Sequence, residues 1–398
     1  MTATPAPATA TSSRKMSWDV IRVVAIFFVI AGHVTGLASR IPGIEGYPFS
    51  LAIPFGTVTL LVLSGYFIGP TIRKGDAGRW LRARLSRLLP AYLVAVLLTY
   101  CVTRYAVVTF NGWWHQPGVL GMLFGDPVRP SVPTVEFPWH VPDLNDLLLN
   151  VLLLHEWNPD LVHRIDGSYW TLPVQVIAFV CAALLWRSKL RHRVRPHTVL
   201  WAVTAISAAS PLLSLFMSSV PTATGTFYGH LFAAGMAIWL WQHDRLPSLQ
   251  LVMLLSAAVG LHALRASAPE VASVIGLAVM LVLMCLAAKG PDWDVPVVRL
   301  LRRPISWLAG ISFGLYLVHQ QLGYVLARWL SEAGFGPWWL RLTVIVTAVV
   351  VAAWLLTVLV ERPAYRVLTR PRTRGTNSAV AVPTRANAEP AVSVGGAT

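Results

Sequence analysis

Charge is scarce in this 398-residue chain: 12% of residues are charged, against 55% that are hydrophobic, and the mean hydropathy is +0.60. A soluble domain of this size needs far more charge to cover its surface, so a water-soluble fold is excluded. Acidic residues are the scarcer kind, 17 against 32 basic ones, for a net charge of +15. The basic residues sit in short loops between apolar runs. That is topogenic charge rather than a nucleic-acid footprint, and no nucleic-acid partner is expected. Cysteine is rare too. Cys101, Cys181 and Cys285 lie in separate apolar segments, which rules out a disulfide framework or a thiolate metal site. No Ser-His-Asp order, G-x-S-x-G elbow, Walker loop or H-E-x-x-H occurs, so the signatures of serine hydrolases, P-loop NTPases and zinc proteases are missing. His115, His140, His155 and His163 lack metal-ligand spacing, and no metal is expected.

What is present is a series of long apolar runs, so the chain reads as an all-α, multi-pass protein of the cell membrane. Ten spans are expected, at about 18–38, 50–69, 88–109, 169–187, 198–218, 226–242, 249–265, 270–288, 306–329 and 339–361. Residues 144–157 are apolar but short, and carry Asp and Asn, which suits an interfacial or re-entrant helix. With both ends inside, the basic loops Arg73–Arg87, Arg187–Arg195, Arg299–Arg303 and the tail from Arg362 all fall on one side, as the positive-inside rule requires. Residues 1–15 and 364–398 read as disordered cytoplasmic tails, with one membrane domain over 16–363 between them. The long outer segment 111–168 holds Trp113, Trp114, Trp139 and Trp157, with Trp170 just beyond it. Most of these suit an interfacial belt, and a stacking platform for a ring-bearing acceptor is the other reading.

The first run, Trp18–Thr35, carries Asp19, Arg22 and His33. Ionisable groups inside a membrane span are costly and usually functional. Arg22 and His33 are separated by three turns plus about 20°, so they share a helix face about 16 Å apart along the axis, with Asp19 one turn before Arg22. A desolvated imidazole makes a good general base for a hydroxyl, and equally a satisfied core histidine. Arg84 and Arg87 stand one turn apart before the third span. Their guanidinium forks suit phosphates, while composition alone favours topogenic charge. Entering the fourth span, Ser168–Gln175 reads S-Y-W-T-L-P-V-Q. Here Pro173 suggests a kink and Gln175 an inter-helix hydrogen bond. In the ninth span Ser312, Tyr316 and His319 fall on one helix face, as packing glue or as a cavity lining. Glu361-Arg362-Pro363 closes the last span, and reads as an interface-anchored ion pair.

Taken in order, these pieces resemble the membrane-bound acyltransferase-3 family, which O-acylates sugars and related acceptors. Its R-x10-H is matched by Arg22 and His33, and its L-S-G-F by Leu63-Ser64-Gly65-Tyr66. Its R-x-x-R before a proline is matched by Arg84, Arg87 and Pro90. Its W-S-L-x-x-E appears as Trp170–Gln175, its I-S-Y-x-x-Y-L-x-H as Ile311–His319, and its E-x-P as Glu361–Pro363. Gln175 stands where the family has Glu, and Pro173 is unusual in its place. The resemblance implies acyl-CoA, commonly acetyl-CoA, as a donor substrate rather than a resident cofactor, with Arg84 and Arg87 holding its phosphates or positioning its thioester arm. It implies His33 as general base or transient acyl carrier, Arg22 and Asp19 beside the donor, and Trp170, Gln175, Ser312, Tyr316 and His319 around the acceptor. That acceptor would be a hydroxyl on a polysaccharide, glycolipid or small metabolite. A transporter or flippase using the polar stripe as its path, and a non-catalytic binding protein, are the rival classes. Lack of inverted-repeat symmetry counts against transport.

Overall fold

The computed structural model describes residues 15–73, 75–157, 162–216, 219–265 and 271–370, so most of both expected tails lies outside the described residues. Every described element is helical apart from one isolated bridge between Trp114 and Val128. Seven helices are long and apolar enough to cross a membrane. They are α1 (Met16–Leu37), α2 (Phe55–Ile72), α3 (Ala77–Phe110), α6 (Gly167–Arg187), α11 (Ser248–Arg265), α12 (Val271–Lys289) and α16 (Trp338–Thr369). The other expected spans fall on α8 (Pro196–Ser214), α10 (Gly229–Gln242) and the pair α14 (Arg302–Val318) and α15 (Gln321–Glu332). Short helices fill the links: α4 (Gly118–Phe124), α5 (Leu144–Val151), α7 (Leu190–Arg193), α9 (Val220–Ala223) and α13 (Pro296–Leu300).

Two expectations are corrected. The ninth span is not one helix. The chain breaks at His319–Gln320, because side chains from the start of α6 take the backbone groups that a continuous helix would pair internally. The basic run Arg79–Arg87 is not a loop. Asp76 accepts the Arg79 amide at 2.9 Å and starts a 34-residue helix that continues through Pro90. Pro173 sits in the first turn of the α-helical part of α6, Thr171–Arg187, where its missing N–H has no intrahelical partner to lose. The last helix also runs on to Thr369, six residues into the expected tail.

Two packed clusters of buried apolar side chains build the bundle. One draws on α2, α8, α10, α11 and α12, the other on α3, α14, α15 and α16. α1 joins them, with Trp18, Ile21 and Ala25 in the first and Ile26, Val29 and Val34 in the second. Its start is fixed by Asp292, whose two carboxylate oxygens each accept a backbone amide, from Met16 and Ser17, at 2.8 Å. The tightest crossing is α2 on α10. A Cβ on Gly65 would lie 2.5 Å from the Phe232 carbonyl oxygen, so only glycine lets the backbones meet there.

Above the bundle, the segment between α3 and α6 forms a tied-down roof. Arg104, buried near the end of α3, donates to the carbonyls of Met122 (2.9 Å), Pro142 (2.7 Å) and Gly125. Asn111 exchanges two hydrogen bonds of 2.8 Å with the Trp139 backbone. The stretch expected to form an interfacial or re-entrant helix contains α5, which starts at a reciprocal capping box between Asp143 and Asp146.

Candidate active site

A cavity of about 1100 Å³ opens between the two clusters. Its walls carry the cationic side chains Lys15, Arg22, Arg79, Arg84, Arg87 and Arg362, with the carboxylates of Asp19, Asp76 and Glu361 among them. Deeper, the lining turns to Leu60, Ser64, Gln175, Ser312, Thr171 and Tyr316. The cavity therefore gathers Asp19, Arg22, Arg84, Arg87, Gln175, Ser312 and Tyr316 from four separated stretches of sequence. Trp170 is not among its lining residues; it packs against Tyr228 with ring centroids 4.5 Å apart.

The arginines are held by different means. Arg84 is clamped on the α2 C-terminal turn, donating to the Phe67 carbonyl at 2.7 Å and Thr71 Oγ1 at 2.8 Å, with Trp80 and Phe179 rings within 5.7 Å. Arg87 Nε pairs with Glu361 Oε1 at 3.1 Å. Glu361 is buried, ends a π-helical turn, Thr357–Glu361, and lines the cavity; its partner is Arg87 of α3 rather than a residue of its own Glu361–Pro363 motif. Asp19 is buried and accepts from Ser306 Oγ at 3.2 Å, tying α1 to α14. The Arg22 guanidinium lies 5.7 Å from the centroid of the Phe67 ring. Gln175 makes the inter-helix bond anticipated for it, accepting from Ser64 Oγ at 3.3 Å.

His33 and His319 form a second layer beyond the cavity's deep end. α1 changes to π-helical winding at Gly32–Leu37, a distortion that recurs at functional sites, and His33 sits within it. His33 Nδ1 is 3.1 Å from the Tyr324 hydroxyl, and its ring meets the His319 ring edge-on at 5.0 Å. His319 is fully buried, and its Nδ1 lies 2.9 Å from the Tyr316 carbonyl. Between the layers stands Tyr316. Its hydroxyl donates to the Ser168 carbonyl at 2.8 Å and accepts from Thr171 Oγ1 at 2.9 Å. Of Arg22 and His33, only Arg22 lines the cavity.

Asp166 was not singled out in the sequence. It is wholly buried at the start of α6 and closes the break in the ninth span. One oxygen accepts the Ser168 amide (2.8 Å) and hydroxyl (2.6 Å), and the other the Gln321 amide at 2.9 Å. Burial pushes this carboxyl above the ordinary value, while the Ser168 and Gln321 donors pull it down. Ser168 Oγ and the Tyr169 hydroxyl then take the freed Tyr316 and Leu317 carbonyls, at 3.2 and 3.1 Å. An Asp immediately before Gly-Ser at a helix start was the available signal.

A third group lies in the roof. His140 Nε2 is 2.7 Å from Asp146 Oδ2, and Asp146 Oδ1 accepts the His163 amide at 2.7 Å. These three side chains bring ligand-type atoms within 4.8 Å of one another, which the sequence spacing of the histidines hid. The two imidazoles are stacked face to face at 3.6 Å, so their in-plane lone pairs run side by side rather than converging. The arrangement is a clasp around a carboxylate. Burial raises the Asp146 carboxyl, but hydrogen bonds from the His140 ring and from the His163 and Asp143 amides outweigh this and hold it below the usual carboxylate value. A depressed value means the clasp contributes stability above the unfolded-state value, about 4, and loses it as pH falls through the folded one. Protection of the His163 and Asp143 amides, relative to intrinsic exchange at the same pH, is therefore expected to fall as pH drops through the lowered Asp146 value. In Asp146→Asn that protection is expected to be low already at neutral pH. Acid-independent protection in the unaltered protein would contradict the assignment.

The geometry can now be set beside known proteins. A family model described as an acyltransferase domain matches residues 16–358, nearly the whole chain. The chain belongs to the acyltransferase-3 family. No curated protein matches it, and no solved structure does. Membership makes this a membrane acyltransferase, and the acyltransferase-3 match covers the His33–His319 layer and the cavity lining apart from Lys15, Glu361, Arg362 and Tyr365.

Proposed function

We propose that this chain is an integral-membrane O-acyltransferase that moves an acyl group, in the simplest case acetyl, from acyl-CoA to a hydroxyl of a carbohydrate or glycosylated metabolite. The observation that carries this reading is the cavity's polarity. Its lining carries six cationic side chains against three carboxylates, Asp19, Asp76 and Glu361, together with small polar and apolar groups and Tyr316. Ligand sites commonly span roughly 300–1,000 Å³, so a cavity of about 1100 Å³ suits an elongated nucleotide thioester. Arginine forks at the mouth would take the phosphates, and the pantetheine arm would run inward between α1, α2 and α6.

In the transfer, the acceptor oxygen bonds to the acyl carbon as the C–S bond breaks. The hydroxyl proton passes to the imidazole of His33 and on to the departing CoA thiolate. Arg22 would offset charge building on the thioester oxygen. Gln175 cannot act as a base where the family has Glu. Bonded to Ser64, it serves to orient α6 on α2.

The rival transport reading gains one feature, since the α14/α15 break resembles the discontinuous helices of transporters. Here, however, Asp166, Ser168 and Tyr169 occupy backbone groups that a transported ion or substrate would need. The test is the chain purified into lipid nanodiscs with radiolabelled acetyl-CoA. Protein-dependent release of CoA thiol, with label entering a hydroxyl-bearing lipid or glycan, is the expected result. Absence of thiol release, with uptake of a sugar-linked substrate into proteoliposomes, would overturn it.

A further inference from the structure

We propose that His319 is the proton-relay partner of His33. On this view the proton taken from the acceptor hydroxyl is shared between the two imidazoles before it reaches the thiolate. The inference rests on the acyl-transfer reading and adds a residue to it.

The first argument is tautomeric. His319 Nδ1 lies 2.9 Å from the Tyr316 carbonyl oxygen, and a carbonyl can only accept. Nδ1 therefore carries the hydrogen, and Nε2 of the neutral ring is a bare lone pair. The second is burial. Nε2 is inaccessible and has no hydrogen-bond partner, an omission worth about 1–3 kcal/mol at a typical buried site. A chain that bears that cost in the middle of a packed layer leaves an acceptor ready for a donor that is present only part of the time.

The third is placement. The His33 ring meets the His319 ring edge-on at 5.0 Å, and Tyr316 lies on another side at 5.8 Å. A modest rotation of His33, once protonated, would turn its N–H onto the vacant Nε2. His319 itself is held by the helix break, whose backbone groups are pinned by Asp166, Ser168 and Tyr169. The other titratable groups around the pair are Asp166, Tyr316 and Tyr324. Asp166 is fully occupied by amide and hydroxyl donors, and Tyr316 by Ser168 and Thr171. Tyr324 contacts His33 at Nδ1, the other side of the imidazole pair. No new bond to carbon is involved. The proton leaves oxygen, resides on the imidazole pair, and ends on sulfur.

Two substitutions separate this role from a structural one. In His319→Asn the side-chain amide can still donate to the Tyr316 carbonyl, but nothing replaces the Nε2 acceptor. In His319→Gln an amide oxygen can stand near Nε2 as an acceptor that cannot take up a proton. In nanodiscs with acetyl-CoA, both variants are expected to keep donor binding and a near-native melting temperature, and to transfer at least about 100-fold more slowly. The acid limb of the remaining kcat–pH profile is expected at lower pH, because His33 alone holds a proton less well than the pair.

Transfer by His319→Asn at the unaltered rate and with the unaltered pH profile would overturn the proposal. Full rescue by His319→Gln would also overturn it, since an acceptor alone would then suffice. Should neither variant fold, ¹⁵N chemical shifts of labelled histidines in the unaltered protein decide: a bare Nε2 on His319 is expected, and a protonated one refutes the relay. If the unaltered chain transfers no acyl group at all, the acyl-transfer reading fails, while the ¹⁵N measurement still reads the His319 lone pair on its own.

Discussion

His33→Ala is expected to lower acyl transfer by roughly 10²- to 10⁴-fold, the range spanned by removing a positioned general base. Donor binding should be spared, because His33 is not among the residues lining the cavity that would hold acyl-CoA. The fold should be spared as well. The His33 ring is half-buried, and its one hydrogen-bond contact described here, with Tyr324, lies at the edge of the packed layer. The informative experiment measures three quantities on one preparation: acetyl-CoA affinity, melting temperature and single-turnover transfer. Loss of transfer alone is the expected pattern. Full transfer by His33→Ala would remove His33 from the reaction. A change in affinity alone would move it to the donor site. Trapping a labelled acyl-imidazole in the unaltered enzyme would show that His33 carries the acyl group as well as the proton.

Asp166→Ala is expected to do the largest structural damage of any single substitution near the site. It strands two buried backbone amides, Ser168 and Gln321, and takes a partner from the Ser168 hydroxyl. At about 1–3 kcal/mol for each buried donor left unsatisfied, the two amides alone amount to roughly 2–6 kcal/mol. That is comparable to the whole stability of a typical domain. The variant should therefore be recovered at low yield, with a melting temperature lower by many degrees, and with α15 exchanging its amide hydrogens first. Asp166→Asn should fall between, because its carbonyl oxygen keeps one set of donors while its NH₂ faces the other. Native melting behaviour in Asp166→Ala would mean that the helix break is held by something else.

Much of the architecture was legible because lipid imposes a simple code. Apolar length marks a span, and each expected span has a helix beneath it. What the code could not convey was register at the ends and the continuity of the ninth span. The run Ile305–Trp329 is apolar enough to look unbroken, and the reason it breaks lies well over a hundred residues away, at Asp166. Polar residues that satisfy a distant backbone leave no periodic trace. The same holds for the roof, where His140, Asp146 and His163 meet only because the segment folds over α5. The site was legible in part. Arg22, Arg84, Arg87, Gln175, Ser312 and Tyr316 do converge on one cavity. The division of the polar stripe into two layers was not legible, since helix geometry gives axial distance but not what stands between. Tyr316, which stands between the layers, was visible only as one member of a helical face.

α3 gives the bundle a scale. Arg84, clamped at the cavity mouth, and Arg104, anchoring the roof, lie on the same continuous helix, twenty residues and about 30 Å apart, close to the thickness of a bilayer's hydrocarbon core. A single rigid rod thus fixes the gap between where a phosphate-rich carrier could be gripped and where an acceptor could be covered. Its length is enough to reach from one face of a bilayer to the other. Transfer through such a frame would be vectorial: a few uncharged atoms would cross the barrier while the polyanionic handle that delivered them stays behind.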